Sequence, residues 1–482
     1  MHSPSAEATT SFSGRYYLLF LLLALALRWG SFFPSVIDSD ESTYIVLADE
    51  LLRGEVYLRD LVDTKPIGIV WIYAALIKLT GGSIFLLRTA AALVVGLGAW
   101  LLYLTVRRVT GSVAGGYVAG VTYCFMTSVY KYYGVSPNTE IYFNVCTIAA
   151  VAVSVAPPAG RQWFVGGLLL GTGFIIKPFV VAECVAVGLY LIYHYRCEPL
   201  LMLRKGLTLV AGFVLPVAIM VGYFAYYDLL AELWFYGVEV GRAYPIEMPW
   251  YLRLKYMGDY LLRYSPLIVL GVVAQLRSRG SGVAWQWQAF LGLAFFLVCA
   301  VVMLTGKRFG HYQIQLHPLV SLYVGTYVGA AYGRGWIKGW WTTALLVVAL
   351  GLGTVQYFYY SRKTDQPRIV ADYLRSRLGP GETFLVINGY QIVYHLLDRS
   401  VPTPYVHRHL LFETVHQDAF RIDQEQEVAR ILQDSSLRYL IGTVGDPALE
   451  EGAAHQLLTG FVATDTLSGT VVVYHRSHAV RE

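Results

Sequence analysis

Along much of this chain apolar positions do not alternate with polar ones; they run on unbroken. Windows such as 16–33, 84–106 and 341–360 each offer about eighteen or more mostly apolar residues, enough to cross the hydrocarbon core of a bilayer as a helix. Read in order, such windows fall at 16–33, 84–107, 112–132, 140–156, 162–177, 179–195, 206–227, 264–277, 286–305, 312–331 and 339–360, which predicts about eleven transmembrane helices. The fifth and sixth are short and parted only by Lys177-Pro178, the mark of a broken helix pair or of a re-entrant feature, either of which changes the count by one or two. The first window holds Arg28 and lacks a small-x-small cleavage site, so it is expected to stay as a helix instead of being removed as a leader.

Beyond Tyr360 the pattern becomes that of a soluble domain. Ile369, Val370, Tyr373, Leu374 and Leu378 make a helical stripe, and Val428, Ile431 and Leu432 mark a second helix. Residues 383–387 and 437–441 read as buried strands, and 461–466 with 470–474 as a hairpin turning at Ser468-Gly469. The expected fold class is a polytopic α-helical membrane protein with interfacial helices and a C-terminal soluble α/β domain. The expected division is a transmembrane domain over 1–360, with an exterior loop at 34–83, and an exterior domain over 361–482.

Composition sharpens this reading. Hydrophobic residues make up 56% of the chain and charged ones 14%, too little polar surface to cover a soluble globule of this length. With the N-terminus inside, the inner loops carry Arg107-Arg108, Arg161, Arg196 with Arg204-Lys205, Arg277 with Arg279, and Arg334 with Lys338. The positive-inside rule then sends the C-terminal domain to the exterior, the periplasm if the membrane is a bacterial inner membrane. The net charge of +5 follows from this bias and calls for no nucleic-acid partner. No CxxC or Cys/His cluster suggests zinc or iron–sulfur chemistry. An oxygen-ligated divalent cation stays open. Polar residues do not gather mid-bilayer and no internal repeat is visible, which argues against a transporter.

The loop at 34–83 is roughly fifty residues long, far more than a simple connection needs. It opens on Asp38-Ser39-Asp40-Glu41, continues as a helix to Leu52, passes Asp63-Thr64-Lys65-Pro66 and ends in an apolar run to Leu79. Two helices lying along the membrane interface are expected here. Helical spacing sets Asp40 and Tyr44 on one face and turns Glu41 away from Asp40, so only one of the two carboxylates can face a given reacting atom. Each polar residue also has a plainer reading. The Asp-Glu pair and Glu140 can cap helices, Lys177 is expected to snorkel to the surface, and Lys307-Arg308 and His311-Tyr312 can be interfacial anchors. Arg88 either snorkels or pairs with a carboxylate in the bundle.

Taken in order and on one side of the membrane, Asp40-Glu41-Ser42-Thr43-Tyr44, Lys65-Pro66, Asn138-Thr139-Glu140 and Gly310-His311-Tyr312 ahead of Pro318 resemble the GT-C membrane glycosyltransferases. The likeness is to the branch holding lipid A aminoarabinose transferase and the protein O-mannosyltransferases. One departure is Ile67, where the aminoarabinose branch tends to have a second proline. The resemblance implies a polyprenyl-phosphate sugar donor and direct transfer, with inversion, to an acceptor hydroxyl on a lipid, glycan or protein outside the membrane. Such a reaction needs a carboxylate to take the hydroxyl proton and cations to hold the departing phosphate. Asp40, with Glu41 beside it, fits the first role. Lys65, Lys307, Arg308 and His311 fit the second, and Tyr44, Glu140, Tyr312 and Arg88 fit supporting or substrate-binding roles. A divalent cation between phosphate and carboxylates would supply the same charge stabilisation. The alternatives are a polymerase or ligase of lipid-linked glycans, or a membrane assembly subunit that keeps the fold without the activity.

Overall fold

A computed structural model describes residues 14–129, 134–156, 160–243, 248–278, 283–307, 310–335, 340–446, 449–450 and 452–477. Helix α1 (Gly14–Arg28) ends in a 3-10 turn, Trp29–Phe32. Helices α2 (Ser39–Arg53) and α3 (Ile67–Thr80) fill the loop that follows. Then come α4 (Ile84–Thr110), α5 (Val113–Met126), α6 (Thr139–Ser154), α7 (Gln162–Ile176), α8 (Val181–His194) and α9 (Pro199–Tyr226). Further along lie Trp250–Arg263, Ser265–Arg277, Trp285–Leu304, His317–Gly333 and Trp340–Ser361.

Every apolar window of the sequence coincides with a helix, but length separates them. Among the described residues four stretches are long and apolar enough to cross a membrane unaided: α4, α9, Trp285–Leu304 and Thr343–Arg375, the last running on from the final apolar helix. A fifth is reached if Trp250–Arg263 and Ser265–Arg277, bent by 72°, count as one span. The remaining apolar helices are shorter, so several spans are established and the count of eleven is not. Just before the window at 264, Trp250–Arg263 is an amphipathic helix whose apolar face buries Met257 and Tyr260.

Small residues let the bundle close. A Cβ on Gly167 of α7 would lie 1.9 Å from the Leu209 carbonyl oxygen of α9, and one on Gly212 2.1 Å from that of Phe164. The backbones touch there, as small-residue crossings in membranes permit. The outward face of α9 stays apolar and exposed at Leu203, Leu207, Val210 and Val214, a lipid-facing stripe. At the end of α7 the residue before Pro178 must leave the helical region. Lys177 is accordingly extended, at φ −158° and ψ 123°, and the chain restarts as a short 3-10 turn before α8.

The C-terminal domain has a four-stranded sheet formed by β1 (Thr383–Val386), β2 (Leu437–Thr443), β3 (Phe461–Leu467) and β4 (Val471–Arg476), in the order β1-β2-β4-β3. β1 runs parallel to β2 and the other neighbours are antiparallel. The β3–β4 turn places Ser468 and Gly469 at φ 48° and 69°, the left-handed geometry of tight hairpins. Helices Gln366–Arg375 and Gln424–Gln433 belong to the same domain, the first burying Val370 and Leu374 and the second Val428 and Ile431. The domain is docked on the loop between α1 and α4. Gln391 Nε2 donates to the Ser39 carbonyl at 2.9 Å and to Thr43 Oγ1 at 2.9 Å. Arg53 pairs with Asp398 at 2.6 Å, and the Val62 amide donates to the Pro404 carbonyl at 2.9 Å. His395 sits between Asp49 and the Gly82 carbonyl, 2.7 Å from each.

Candidate functional site

The opening Asp-Ser-Asp-Glu resolves into three different jobs. Asp38 is the N-cap of α2, its carboxylate accepting from the Asp40 amide at 3.1 Å. Asn138, from the loop before α6, donates to the other Asp38 oxygen at 2.8 Å. Burial first, and then the charge of Asp40, raise the Asp38 carboxyl to about 7.

Glu41 is turned away and fully buried against Arg88 of α4, with paired contacts of 2.7 and 2.8 Å. Arg88 spends its remaining donors on the carbonyls of Ser31, Pro34 and Ser35. This closed set fastens the start of the loop to the bundle, so Arg88 does not snorkel and Glu41 does not face Asp40's partners.

Asp40 is left at the centre. Its side chain is 14% exposed and meets Lys65 Nζ at 3.1 Å, His407 Nε2 at 3.7 Å and His311 Nε2 at 3.9 Å. Burial alone would raise this carboxyl, but the Lys65 ammonium, followed by His311 and His407, overcomes that and holds it well below the usual carboxylate range. Lys65 is pushed the other way: burial disfavours its charge, and Asp40 and Asp63 more than restore it. Asp63 lies 3.9 Å from Lys65 and is itself raised by burial. Burial lowers His311 to about 4 and His407 to about 3, the nearby lysines adding to it, so both imidazoles are neutral at pH 7.

Local sequence explains why Lys65 arrives here. Tyr57 donates to the Lys65 carbonyl at 2.6 Å, and Pro66 is the extended N-cap of α3. Two residues on, a Cβ at Gly68 would stand 2.4 Å from the Ile175 carbonyl of α7. Glycine therefore brings the start of α3 onto the end of α7, where Lys177 emerges. Lys177 does not snorkel. It is 7% exposed, pairs with Glu140 on the first turn of α6, and lies 4.0 Å from the centre of the Tyr312 ring. Tyr312 in turn packs edge-on against His311, with ring centres 4.7 Å apart. Tyr44 is buried with its ring centre 5.8 Å from Lys65 Nζ.

The structure thus brings Asp40, Lys65, His311 and Tyr44 into one site, with Tyr312, Glu140 and Lys177 behind His311, and separates Glu41 and Arg88 from it. Lys307 lies between Trp285–Leu304 and the 3-10 turn Gly310–Leu316, and Arg308 falls outside the described residues. Among the described residues no group of three or more His, Cys, Asp or Glu is arranged to hold a metal ion. Sequence reading missed His407, about 370 positions from Asp40, because nothing local in His407-Arg408-His409 links it to the loop. It also missed Asp63 and gave Lys177 to the surface.

Residues 64–224 match the family model described as dolichyl-phosphate-mannose-protein mannosyltransferase. An undecaprenyl phosphate-α-4-amino-4-deoxy-L-arabinose arabinosyl transferase of Pseudomonas fluorescens is 26% identical over 379 residues, covering 73% of this chain and 66% of its own length. The crystal structure of ArnT from Cupriavidus metallidurans bound to undecaprenyl phosphate superimposes with a TM-score of 0.67 at 11% identity, over 97% of this chain and 99% of that one. Its apo form gives 0.65 at 12% identity, over 96% and 98%. The fold is thus ArnT-like over nearly the whole chain, and the sequence is similar over part of its length to membrane glycosyltransferases.

Proposed function

We propose that the protein transfers a sugar from a polyprenyl-phosphate donor to an acceptor hydroxyl at the exterior membrane face, with inversion at the anomeric carbon. The observation that carries this reading is the half-buried Asp40–Lys65 pair, at 3.1 Å, with His311 beside it. It offers one base and one cation where the loop between α1 and α4 meets the bundle. The matched relative, of which this chain spans about two thirds, acts on an aminoarabinose donor. A lipid acceptor is the first to test, ahead of glycan or protein.

The acceptor oxygen attacks the anomeric carbon, the bond from that carbon to the phosphate oxygen breaks, and the hydroxyl proton passes to Asp40. The phosphate keeps the bonding electrons and stays on the lipid, its charge met by Lys65 and by the imidazole N–H donors. Lys65 links the two halves of this chemistry. While it sits on Asp40 it depresses the basicity of the carboxylate, which opposes general-base action. A donor phosphate competes for the same ammonium, and drawing Lys65 toward phosphate restores the base when substrate is present. Glu140 and Lys177 hold Tyr312 and His311 in place, and Glu41 with Arg88 anchors the loop.

The reading predicts that the protein purified in lipid nanodiscs binds undecaprenyl phosphate and transfers sugar from an undecaprenyl-phosphate donor. It also predicts that Lys65→Met loses donor affinity while keeping its fold. An active preparation whose Lys65→Met form shows full affinity and turnover would remove the lysine from this role. Failure of folded wild-type protein to bind any polyprenyl phosphate would remove the function.

A further inference from the structure

The C-terminal domain does more than sit over the loop. His407 brings this domain to 3.7 Å from Asp40, and a backbone contact at its ring indicates which nitrogen carries the proton. His407 Nδ1 accepts from the His409 amide at 3.4 Å, so the neutral ring is protonated on Nε2. That Nε2–H points at Asp40 Oδ1, 3.7 Å away, and at Ser39 Oγ, 3.4 Å away. The 3.7 Å separation from Asp40 is too long for a hydrogen bond. Lys65 faces the same Asp40 oxygen at 3.1 Å. A backbone-capped imidazole, 12% exposed on its side chain, is thus aimed at a point where an anionic oxygen is already received, without closing on it.

We propose that His407 is a substrate-contacting residue whose Nε2–H binds the donor phosphate together with Lys65, so that the C-terminal domain completes the transfer site. The proposal rests on the reading of the site as one for a polyprenyl-phosphate donor. It gives the docking contacts a purpose. Gln391 bonds Ser39 and Thr43 near the start of α2, one of several docking contacts alongside Arg53–Asp398, His395–Asp49 and Val62–Pro404. A neutral N–H donor also suits this position, because a second full cation beside Lys65 would repel it, whereas a neutral donor costs little before the phosphate arrives.

The test measures binding of undecaprenyl phosphate to the full chain in nanodiscs, with thermal unfolding recorded for each variant. His407→Ala should weaken binding about 10- to 100-fold, the usual range for one hydrogen bond to a charged group. His407→Gln, whose amide Nε2 reaches nearly the same point, should return binding to within a few-fold of wild type. Gln391→Ala removes docking bonds but no group near the phosphate, and should bind close to normally. Unchanged binding in His407→Ala overturns the proposal. So does an equal loss in the Ala and Gln variants, or a Gln391→Ala loss as large as that of His407→Ala, which would make docking the whole effect. Wild-type protein that fails to bind undecaprenyl phosphate defeats the underlying functional reading as well, and is distinguished from the other outcomes by that control alone.

Discussion

Replacing Asp40 by Asn tests the site most directly, because the change keeps the shape of the side chain and removes its capacity to take a proton. Loss of a positioned general base typically costs about 10²–10⁴ in rate, or roughly 2.7–5.4 kcal/mol of transition-state stabilisation. Stability should change little in comparison. The Asp40 side chain is partly open to solvent at 14%, and Lys65 keeps Asp63 at 3.9 Å as a second partner. The neighbouring Glu41→Gln change should behave in the opposite way. Glu41 and Arg88 are almost completely buried and paired through two contacts, and breaking such a pair leaves an uncompensated charge at a cost of about 3–5 kcal/mol. Asp40→Asn is therefore expected to fold and bind undecaprenyl phosphate but fail in single-turnover transfer, while Glu41→Gln loses thermal stability or folded yield. Single-turnover rates separate the chemical step from product release. Near-normal turnover in folded, donor-bound Asp40→Asn would refute the assignment, and equal catalytic losses with unchanged stability in both variants would point to shared work by the two carboxylates.

Other expectations follow from particular contacts. Lys177→Met leaves Glu140 buried without its cation and should destabilise the protein by about 3–5 kcal/mol, with Lys177→Met/Glu140→Gln recovering part of the loss; unfolding in detergent that is indifferent to both changes would contradict the pairing. Gly68→Ala forces a Cβ against the Ile175 carbonyl and should cost about 1–3 kcal/mol together with donor affinity, since the helix after Lys65 must move; a variant with unchanged unfolding and binding would show that the contact relaxes freely. His395 faces two acceptors, the Asp49 carboxylate and the Gly82 carbonyl, so both ring nitrogens carry protons and its pKa is raised above 6.5 despite burial and Arg53. Its contribution to docking is full below about pH 6.5 and is lost as pH rises through the elevated value; the protection of amides at the domain contact, taken relative to their intrinsic base-catalysed exchange, should therefore fall at high pH in wild type but not in His395→Ala, and parallel protection profiles would refute the clamp. If the C-terminal domain is exterior, a thiol introduced at exposed Ser376 should react with an impermeant reagent in intact cells while exposed Cys197 reacts only after permeabilisation, the reverse pattern inverting the topology.

Much of this protein was legible from its residues in order. Unbroken apolar windows located helices because a lipid solvent requires continuous apolar surface and internally satisfied backbone, both local properties. Lys177-Pro178 foretold a break because the proline ring acts on its immediate neighbour. Ser468-Gly469 foretold a turn, and short apolar runs foretold strands of the C-terminal domain. The i, i+1 divergence of Asp40 and Glu41 was fixed by helix geometry before any partner was known.

Which partner each charge takes was decided only in three dimensions. Glu41 and Arg88 are 47 positions apart, Glu140 and Lys177 are 37 apart, and His407 meets Asp40 from about 370 positions along the chain. A buried ion must find a counter-ion or donors at close range, yet the sequence does not say which of several it will find. The snorkelling reading of Lys177 failed for this reason: a lysine at a helix end has a route to water by default, and a short helix break turned it inward onto Glu140. The sequence alone determined the membrane character, the helices and the residue types a transfer site needs. Tertiary structure chose Asp40 and Lys65 as the central pair, gave Glu41 to Arg88, and brought in His407, because electrostatic pairing depends on distance in space and not along the chain.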